Sequence, residues 1–286
     1  MLQAVVVLIV SLFAISAPLR SDAQSNPDIL VLGDSQISFG AGEVYLDFFE
    51  NLSEQCRGTD VSNATLSKLG SLRTTALGVR STSLHSWVAR RGAAKGTICD
   101  VDKKFGVNAG VYGLGGNSKR KFVQVGRDTG VKYCRPNQSA FEGLFENAEN
   151  DPSLLILAFL GNAEKRWSGD PARALQDVRR TLEQVPPDVP CVFMSTVPVF
   201  SKRTNDLRMR AQTEIVNAFR QAGGHCKVVE GFSKETRAVI EGQARFFKRN
   251  SAGRVTDPHH PSKAATRMFV DLNKGALCNA IAAAVD

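Results

Sequence analysis

The sequence of 286 residues lacks internal repeats and low-complexity linkers. Its composition is 43% hydrophobic and 22% charged, with 24 glycines and 11 prolines, which excludes collagen-like, disordered and coiled-coil chains. The net charge of +8 is spread along the chain, so it favours anionic partners without indicating nucleic-acid binding. We expect one large domain over residues 24–286.

No C-x-x-C pair and no cysteine–histidine spacing of a metal site occurs, so we expect no structural zinc and no cofactor. An even number of cysteines in an exported chain instead predicts disulfides, and six cysteines allow 15 connectivities. Our hypothesis pairs Cys99 with Cys134 inside one loop-rich segment, and Cys191 with Cys226 at the starts of two predicted strands. The six are Cys56, Cys99, Cys134, Cys191, Cys226 and Cys278.

The N-terminal apolar run, from Leu2 to Leu19, is shorter than the ~20 apolar residues that span a bilayer. The segment Ser21-Asp22-Ala23 fits the small-x-small pattern of signal peptidase sites, although no Lys or Arg precedes the apolar core. We predict a cleaved signal peptide over 1–23; a retained membrane anchor is the alternative. The mature protein would be periplasmic or secreted, without stable membrane insertion.

Short apolar runs alternate with amphipathic stretches along most of the mature chain. Strands are predicted at 29–32, 74–78, 154–160, 191–194 and 227–230. Helices are predicted at 44–52, 84–90, 171–185 and 207–222, with a last one from Pro261. This alternation predicts an α/β fold, a flavodoxin-like doubly wound parallel sheet of about five strands with helices on both faces.

The segment 91–137 is rich in glycine and basic residues and is predicted to be a loop-rich insertion. Its Gly113-Leu114-Gly115-Gly116-Asn117 follows no predicted strand and lacks the G-x-x-x-x-G-K spacing, so a flexible loop is favoured over a phosphate site. Residues 118–121 with Lys132 give the segment a basic face, typical of solvated surface but attractive to an anionic polysaccharide.

Polar residues follow three predicted strands where parallel strands present their carboxyl ends, the usual ligand site of such sheets. Gly33-Asp34-Ser35 follows the first strand and Gly161-Asn162 follows the strongest one. Gly78 ends the second predicted strand. These segments should meet at one edge, bringing together a serine, a carboxamide and tight glycine turns.

A serine needs a base and an orienting carboxylate to become a nucleophile. Among four histidines, His260 lies three residues after Asp257 in Asp257-Pro258-His259-His260-Pro261, so the two side chains can face each other. The two prolines stiffen this loop. His259 is the alternative base.

Together these residues resemble the SGNH (GDSL-like) serine hydrolases, in that family's order: G-D-S at 33–35, a glycine at Gly78, a shortened G-x-N at 161–162 and D-x-x-H-P at 257–261. Gln36 stands where leucine is common after the serine, and Gly70 competes with Gly78. The resemblance implies that Ser35 is the nucleophile, His260 the base and Asp257 its orienting group. It also implies an oxyanion hole of the Ser35 and Gly78 amides with the Asn162 side chain.

Several of these residues also have a structural interpretation. Ser35 and Asn162 are also preferred helix caps, and Asp34 would bond its own turn. His85 would be an ordinary helix-surface residue, and His225 follows two glycines in a turn.

Lys165, Arg166 and Trp167 follow Asn162 and would form a basic, aromatic wall at the pocket mouth, suited to sugars and anionic groups; packing of Trp167 against the next helix is equally compatible. The expected function is hydrolysis of a carboxylic ester, with an O-acetylated extracytoplasmic carbohydrate as first choice of substrate. The alternatives are an O-acyltransferase acting on an envelope polysaccharide and a non-catalytic glycan-binding relative.

Overall fold

The structure, a computed structural model, describes residues 28–69, 73–90, 98, 100–101, 109–112, 123–125, 131–132, 135–146 and 151–286. The predicted signal peptide, the glycine-rich loop at 113–117, the basic run at 118–121, Gly70 and the Cys99–Cys134 pair lie outside the described residues. The side chain of Lys132 does as well.

The chain alternates strands and helices around one main sheet. The strands are β1 Ile29–Gly33, β2 Thr74–Val79, β3 Asp100–Val101, β4 Ala109–Tyr112, β5 Val123–Val125, β6 Val131–Lys132, β7 Leu154–Ala158, β8 Cys191–Met194, β9 Cys226–Val229, β10 Lys248–Arg249 and β11 Val255–Asp257. The α-helices are α1 Gly42–Glu50, α2 Leu52–Gln55, α3 Asn63–Lys68, α4 Leu84–Val88, α5 Ala140–Phe145, α6 Glu164–Trp167, α7 Pro171–Gln184, α8 Lys202–Ala222, α9 Lys234–Ile240 and α10 Lys263–Val285.

The main sheet has the order β5-β4-β2-β1-β7-β8-β9. Its five strands β2, β1, β7, β8 and β9 are parallel, whereas β4 and β5 pair antiparallel at one edge. The parallel order is that of flavodoxin-like doubly wound sheets. The predicted α/β fold is therefore confirmed, and the predicted insertion adds two strands to it.

Both faces of the central strands are buried, which explains their continuous apolar sequences. In β1, Leu30 and Leu32 belong to the core on one face, while Ile29 and Val31 belong to the core on the other. Helices cover both cores because a two-sided apolar sheet is stable only when both of its faces are shielded from water.

Two disulfides reinforce this arrangement. Cys191 and Cys226 begin the adjacent strands β8 and β9 and are bonded to each other, which confirms the predicted pair. Cys56, which follows α2, is bonded to Cys278 in α10, 222 residues away. Both bonds fit an oxidising environment.

Helix α10 is the one helix among the described residues that is long and apolar enough to cross a membrane, with a mean hydropathy of 1.2. Its residues Phe269, Leu277 and Ile281 are fully buried against the sheet. Ser262 caps it by accepting a hydrogen bond from the Ala265 amide, directly after Pro261. These contacts anchor one face of the helix in the core.

Candidate active site at the carboxyl edge of the sheet

Two directly paired glycines allow the turn after β1 to form. Gly33 in β1 lies opposite Gly78 in β2. A Cβ at Gly33 would lie 2.9 Å from the Ala158 carbonyl oxygen, and one at Gly78 would lie 2.8 Å from the Asp34 carbonyl oxygen. Since these contacts are with backbone, no side chain fits at either position. The tight turn consequently presents Ser35 next to the ends of β2 and β7.

The Asp34 carboxylate contacts the residues that follow β1 and those that follow β7. Its carboxylate is buried and accepts a hydrogen bond from the Gln36 amide at 2.9 Å, as expected for a residue that bonds its own turn. Burial raises the pKa of Asp34, while the Gln36 amide, the positive charge of Arg208 and the Gly161 amide act in the opposite direction. Asp34 therefore couples the Ser35 turn to the Gly161 turn after β7.

Asp257 and His260 form the expected pair. The His260 Nδ1 lies 2.8 Å and 3.0 Å from the two carboxylate oxygens of Asp257, and the backbone amides of His259 and His260 also donate to this carboxylate. Burial alone would raise the pKa of Asp257, but the His260 hydrogen bond and charge, with these amides, lower it below its usual value. With its hydrogen on Nδ1, His260 has a free lone pair on Nε2, the form required of a general base. His259 is exposed, and its ring makes no hydrogen bond to any of the residues that the structure describes.

Two contacts bring the His260 loop to the Ser35 turn. The ring centroids of His260 and Phe39 are 4.0 Å apart, and Phe39 lies four residues after Ser35. The Gln36 side-chain amide donates to the His259 carbonyl at 3.4 Å and to the Val197 carbonyl at 3.1 Å. The Gln36 side chain therefore links the turn after β1 to the His260 loop.

The Ser35 hydroxyl forms no hydrogen bond with His260 in this structure, nor does it cap a helix; both residues are described and half-buried. Hydrogen bonds between catalytic groups are often longer in free enzymes and shorten when substrate binds. The contacts of Phe39 and Gln36 join the His260 loop to the turn that contains Ser35.

Asn162 lies in a single turn of 3-10 helix over Gly161–Ala163, just beyond β7. Its side-chain nitrogen donates to the Thr82 carbonyl at 2.7 Å, and its side chain caps no helix. Because a carboxamide carries two N–H groups, the second is left to donate to another acceptor. The structural alternative, in which Ser35 and Asn162 act only as caps, is not observed.

Gly78 lies within β2 and not beyond its end. Because Gly78 has no side chain, the turn that contains Ser35 can pack closely against β2. The following turn contains Ser81 with φ 60°, an uncommon backbone conformation for a non-glycine residue. Thr82 in this turn is buried and holds Asn162 through its carbonyl.

The predicted wall of Lys165, Arg166 and Trp167 is wrong in two of its three residues. Trp167 is fully buried and donates to Asp177 at 2.9 Å, so its alternative role, packing against α7, is the observed one. Arg166 forms an ion pair with the same carboxylate at 2.6 Å. Only Lys165 is exposed. The single-turn helix α6 rotates the indole into the core, where Asp177 satisfies its N–H.

His85 also differs from its expected role as a helix-surface residue. Its Nδ1 lies 2.9 Å from the buried Asp177 carboxylate. Burial alone would raise the pKa of Asp177, but hydrogen bonds from His85, Arg166 and Trp167 lower it to about 2. His225 lies in the turn after Gly224, as predicted, and burial lowers its pKa.

Sequence reasoning missed Phe39, Gln36 and Arg80 as site residues. Their signal is positional: Gln36 and Phe39 follow Ser35 by one and four residues, and Arg80 directly follows β2 at the edge where the site lies. Among the described residues, no group of three or more His, Cys, Asp or Glu side chains is arranged to hold a metal ion.

Comparison with known proteins assigns no family to the chain. No protein-family model and no curated protein matches the chain. Among solved structures, the chain is similar to a DUF4886 family protein from Bacteroides uniformis ATCC 8492, with 12% identity and a TM-score of 0.43. The match covers 90% of this chain and 93% of that one. The assignment to the α/β class comes from the sheet order and register described above.

Proposed function

We propose that this protein is a serine esterase of the SGNH type that hydrolyses a carboxylic ester through an acyl-enzyme on Ser35. The supporting observation is the Asp257–His260 pair, held beside the Ser35 turn by Phe39 and Gln36. With its hydrogen on Nδ1, the imidazole has a lone pair on Nε2 that can accept the proton of Ser35, the first serine after β1.

In the first half-reaction the Ser35 oxygen attacks the ester carbonyl while His260 Nε2 takes the hydroxyl proton. Asp257 holds the imidazole in the required tautomer and stabilises its charge. When the tetrahedral intermediate collapses, the ester C–O bond breaks and His260 returns the proton to the departing alcohol. Ser35 is left as an acyl ester.

In the second half-reaction His260 takes a proton from water as the water oxygen attacks the acyl carbon. When this intermediate collapses, the bond to the Ser35 oxygen breaks, His260 returns the proton to that oxygen, and the carboxylic acid and free Ser35 are released. In both intermediates the negative oxygen would accept hydrogen bonds from the Ser35 and Gly78 amides and from the second N–H of Asn162. One such donor is typically worth about 2.7–4 kcal/mol in the transition state.

The proposed substrate is an O-acetyl group on an extracytoplasmic carbohydrate. Two disulfides support an oxidising compartment, and the predicted leader at 1–23 supports export to the periplasm or medium. The net charge of +8 supports an anionic polymer as the carrier of the ester.

The test is turnover of p-nitrophenyl acetate by the wild-type protein, by Ser35→Ala and by Ser67→Ala, an exposed serine in α3 that serves as control. We expect Ser35→Ala to lose at least 10³-fold in kcat/KM and Ser67→Ala to match the wild type. Equal rates for all three proteins would refute the proposal. Adding oligosaccharide acceptors separates two outcomes, since acylated sugar would indicate transfer and free acetate alone hydrolysis.

A further inference from the structure

Arg80 lies at the edge of the candidate site without a role in the mechanism above. It directly follows β2, which neighbours β1 in the sheet. Its guanidinium carbon lies 3.7 Å from the centroid of the Phe39 ring, a cation–π contact. The same Phe39 ring contacts the imidazole of His260, with a centroid separation of 4.0 Å.

The geometry places the two groups on opposite faces of Phe39. Two planar groups within 4.0 Å of one ring centroid would overlap if they shared a face. Arg80 is thus separated from the general base by the thickness of one aromatic ring. A substrate that reaches Ser35 and His260 would extend naturally over the exposed edge of Phe39, which is 42% exposed, toward the guanidinium.

The contact with Phe39 uses no hydrogen-bond donor of Arg80. The planar arrangement of the guanidinium N–H groups matches the oxygens of a carboxylate or phosphate. Its Nε is shielded from solvent and has no hydrogen-bond partner among the described residues. Burial also lowers the pKa of Arg80, as expected for a cation without a compensating charge.

Three other buried or half-buried arginines, Arg166, Arg208 and Arg237, each form an ion pair with a carboxylate. No described carboxylate pairs with Arg80. A half-buried cation that lacks a partner next to a catalytic group is suited to an anionic group that arrives with the substrate.

We propose that Arg80 binds a carboxylate or phosphate group of the ester substrate, so that the preferred substrate is an acylated anionic carbohydrate. This inference rests on the proposed esterase function and specifies its substrate class. Hydrogen bonds to a charged group contribute enough for a preference of about 10- to 100-fold over a matched neutral substrate.

The experiment compares acetate release from three acetylated methyl glycosides: a glucuronoside, a glucose 6-phosphate derivative and the neutral glucoside. The quantity measured is the ratio of kcat/KM for each anionic substrate to kcat/KM for the neutral one. We expect a wild-type ratio of about 10 or more for at least one anion. We expect Arg80→Gln to bring that ratio close to one. Arg80→Lys keeps the positive charge but lacks the planar guanidinium that donates two parallel hydrogen bonds, so it should give an intermediate ratio.

Arg203→Gln is the matched control, because Arg203 is exposed on α8 and its loss changes the net charge equally. It should keep the wild-type ratio. A wild-type ratio of one for both anions would overturn the inference. So would an equal loss on anionic and neutral substrates in Arg80→Gln, which is the result expected if Arg80 only supports Phe39.

A binding measurement keeps this result separate from the proposed function. If Ser35→Ala matches the wild type on p-nitrophenyl acetate, the esterase proposal fails. Calorimetry with an unacetylated glucuronate oligosaccharide and with glucose 6-phosphate then decides the role of Arg80. Binding of either by the wild type that weakens about tenfold or more in Arg80→Gln supports the anion site. Equal binding, or none, overturns it.

Discussion

The molecule contains two Asp–His pairs with nearly the same local geometry and very different surroundings. His260 Nδ1 lies 2.8 Å from Asp257, and His85 Nδ1 lies 2.9 Å from Asp177. The Asp177 carboxylate is fully buried and also receives Arg166 and the Trp167 indole, whereas the Asp257 side chain is 29% exposed and otherwise receives only backbone amides.

The difference shows that a histidine–carboxylate hydrogen bond does not by itself define a catalytic pair. Around Asp177 the donors join three helices, α4, α6 and α7, so this network holds the fold together. The Asp257–His260 pair joins no helices, and its loop contacts Gln36 and Phe39 in the segment after β1. We therefore expect mutations in the first pair to affect stability and mutations in the second to affect catalysis.

The largest contrast should come from the histidines. His260→Gln removes the proposed base and should lower kcat/KM by about 10⁴-fold or more, while the free energy of unfolding changes little. His85→Gln should leave kcat/KM within about twofold and lower the free energy of unfolding by about 1–2 kcal/mol, because a hydrogen bond to a buried charge is lost. Ester hydrolysis and urea denaturation of both variants check this. Similar activities in the two variants would contradict the assignment.

Substitutions of Asp257 and Asp177 should show the same contrast between activity and stability. Asp257→Asn should lower kcat by about 10⁴-fold, because the amide favours the wrong imidazole tautomer. Asp177→Asn should retain activity in the folded protein and lose about 3 kcal/mol of stability, because Arg166 is left without its buried partner. Steady-state kinetics and denaturation curves measure both effects. A severe loss of kcat in folded Asp177→Asn would place the catalytic pair elsewhere.

A smaller effect is expected at Asn162. Asn162→Ala removes one proposed oxyanion donor and should lower kcat by about 10²- to 10³-fold with little change in KM. Asn51→Ala, at an exposed asparagine whose side chain donates to the Asp47 carbonyl, is the control. An increase in KM with unchanged kcat would instead assign Asn162 to ground-state binding.

The smallest predicted effect is a pH dependence of stability. The pKa of Asp177 is about 2 in the folded protein, whereas an unfolded aspartate titrates near ~3.9. A depressed pKa stabilises the fold at pH values above the unfolded pKa, and this contribution is lost as the pH falls toward 2. Between pH 6 and 2 the stability difference between wild type and Asp177→Asn should shrink by about 2 kcal/mol. A difference that does not change with pH would refute the shift.

Much of the fold could be predicted from the sequence because the buried strands are continuous apolar runs. Strand β8 has the predicted bounds, and β7 ends two residues earlier than its apolar run. Helix α8 begins at Lys202 and not at Leu207, because its first turn is charged and lacks apolar spacing; Ser201 caps it and Lys202 pairs with Asp206. Strands β4 and β5 were not predictable, since their segment is rich in glycine and basic residues.

The candidate site was predictable only in part. The contact between Asp257 and His260 is local, three residues apart, and sequence spacing was enough to indicate it. The orientation of Trp167 depends on whether a single-turn helix faces the pocket or the core, which spacing does not decide. The stack of Arg80, Phe39 and His260 joins three distant parts of the chain, so it is visible only in the folded protein.

The most direct test of the central claim is covalent labelling with a fluorophosphonate, followed by mass spectrometry of the digested protein. The Ser35 oxygen would displace fluoride from phosphorus, with His260 accepting the proton. We predict one adduct, on the peptide that contains Ser35, in the wild type and in His85→Gln, and none in His260→Gln. No adduct on Ser35 in the wild type, or equal labelling of Ser35 in His260→Gln, would contradict the account.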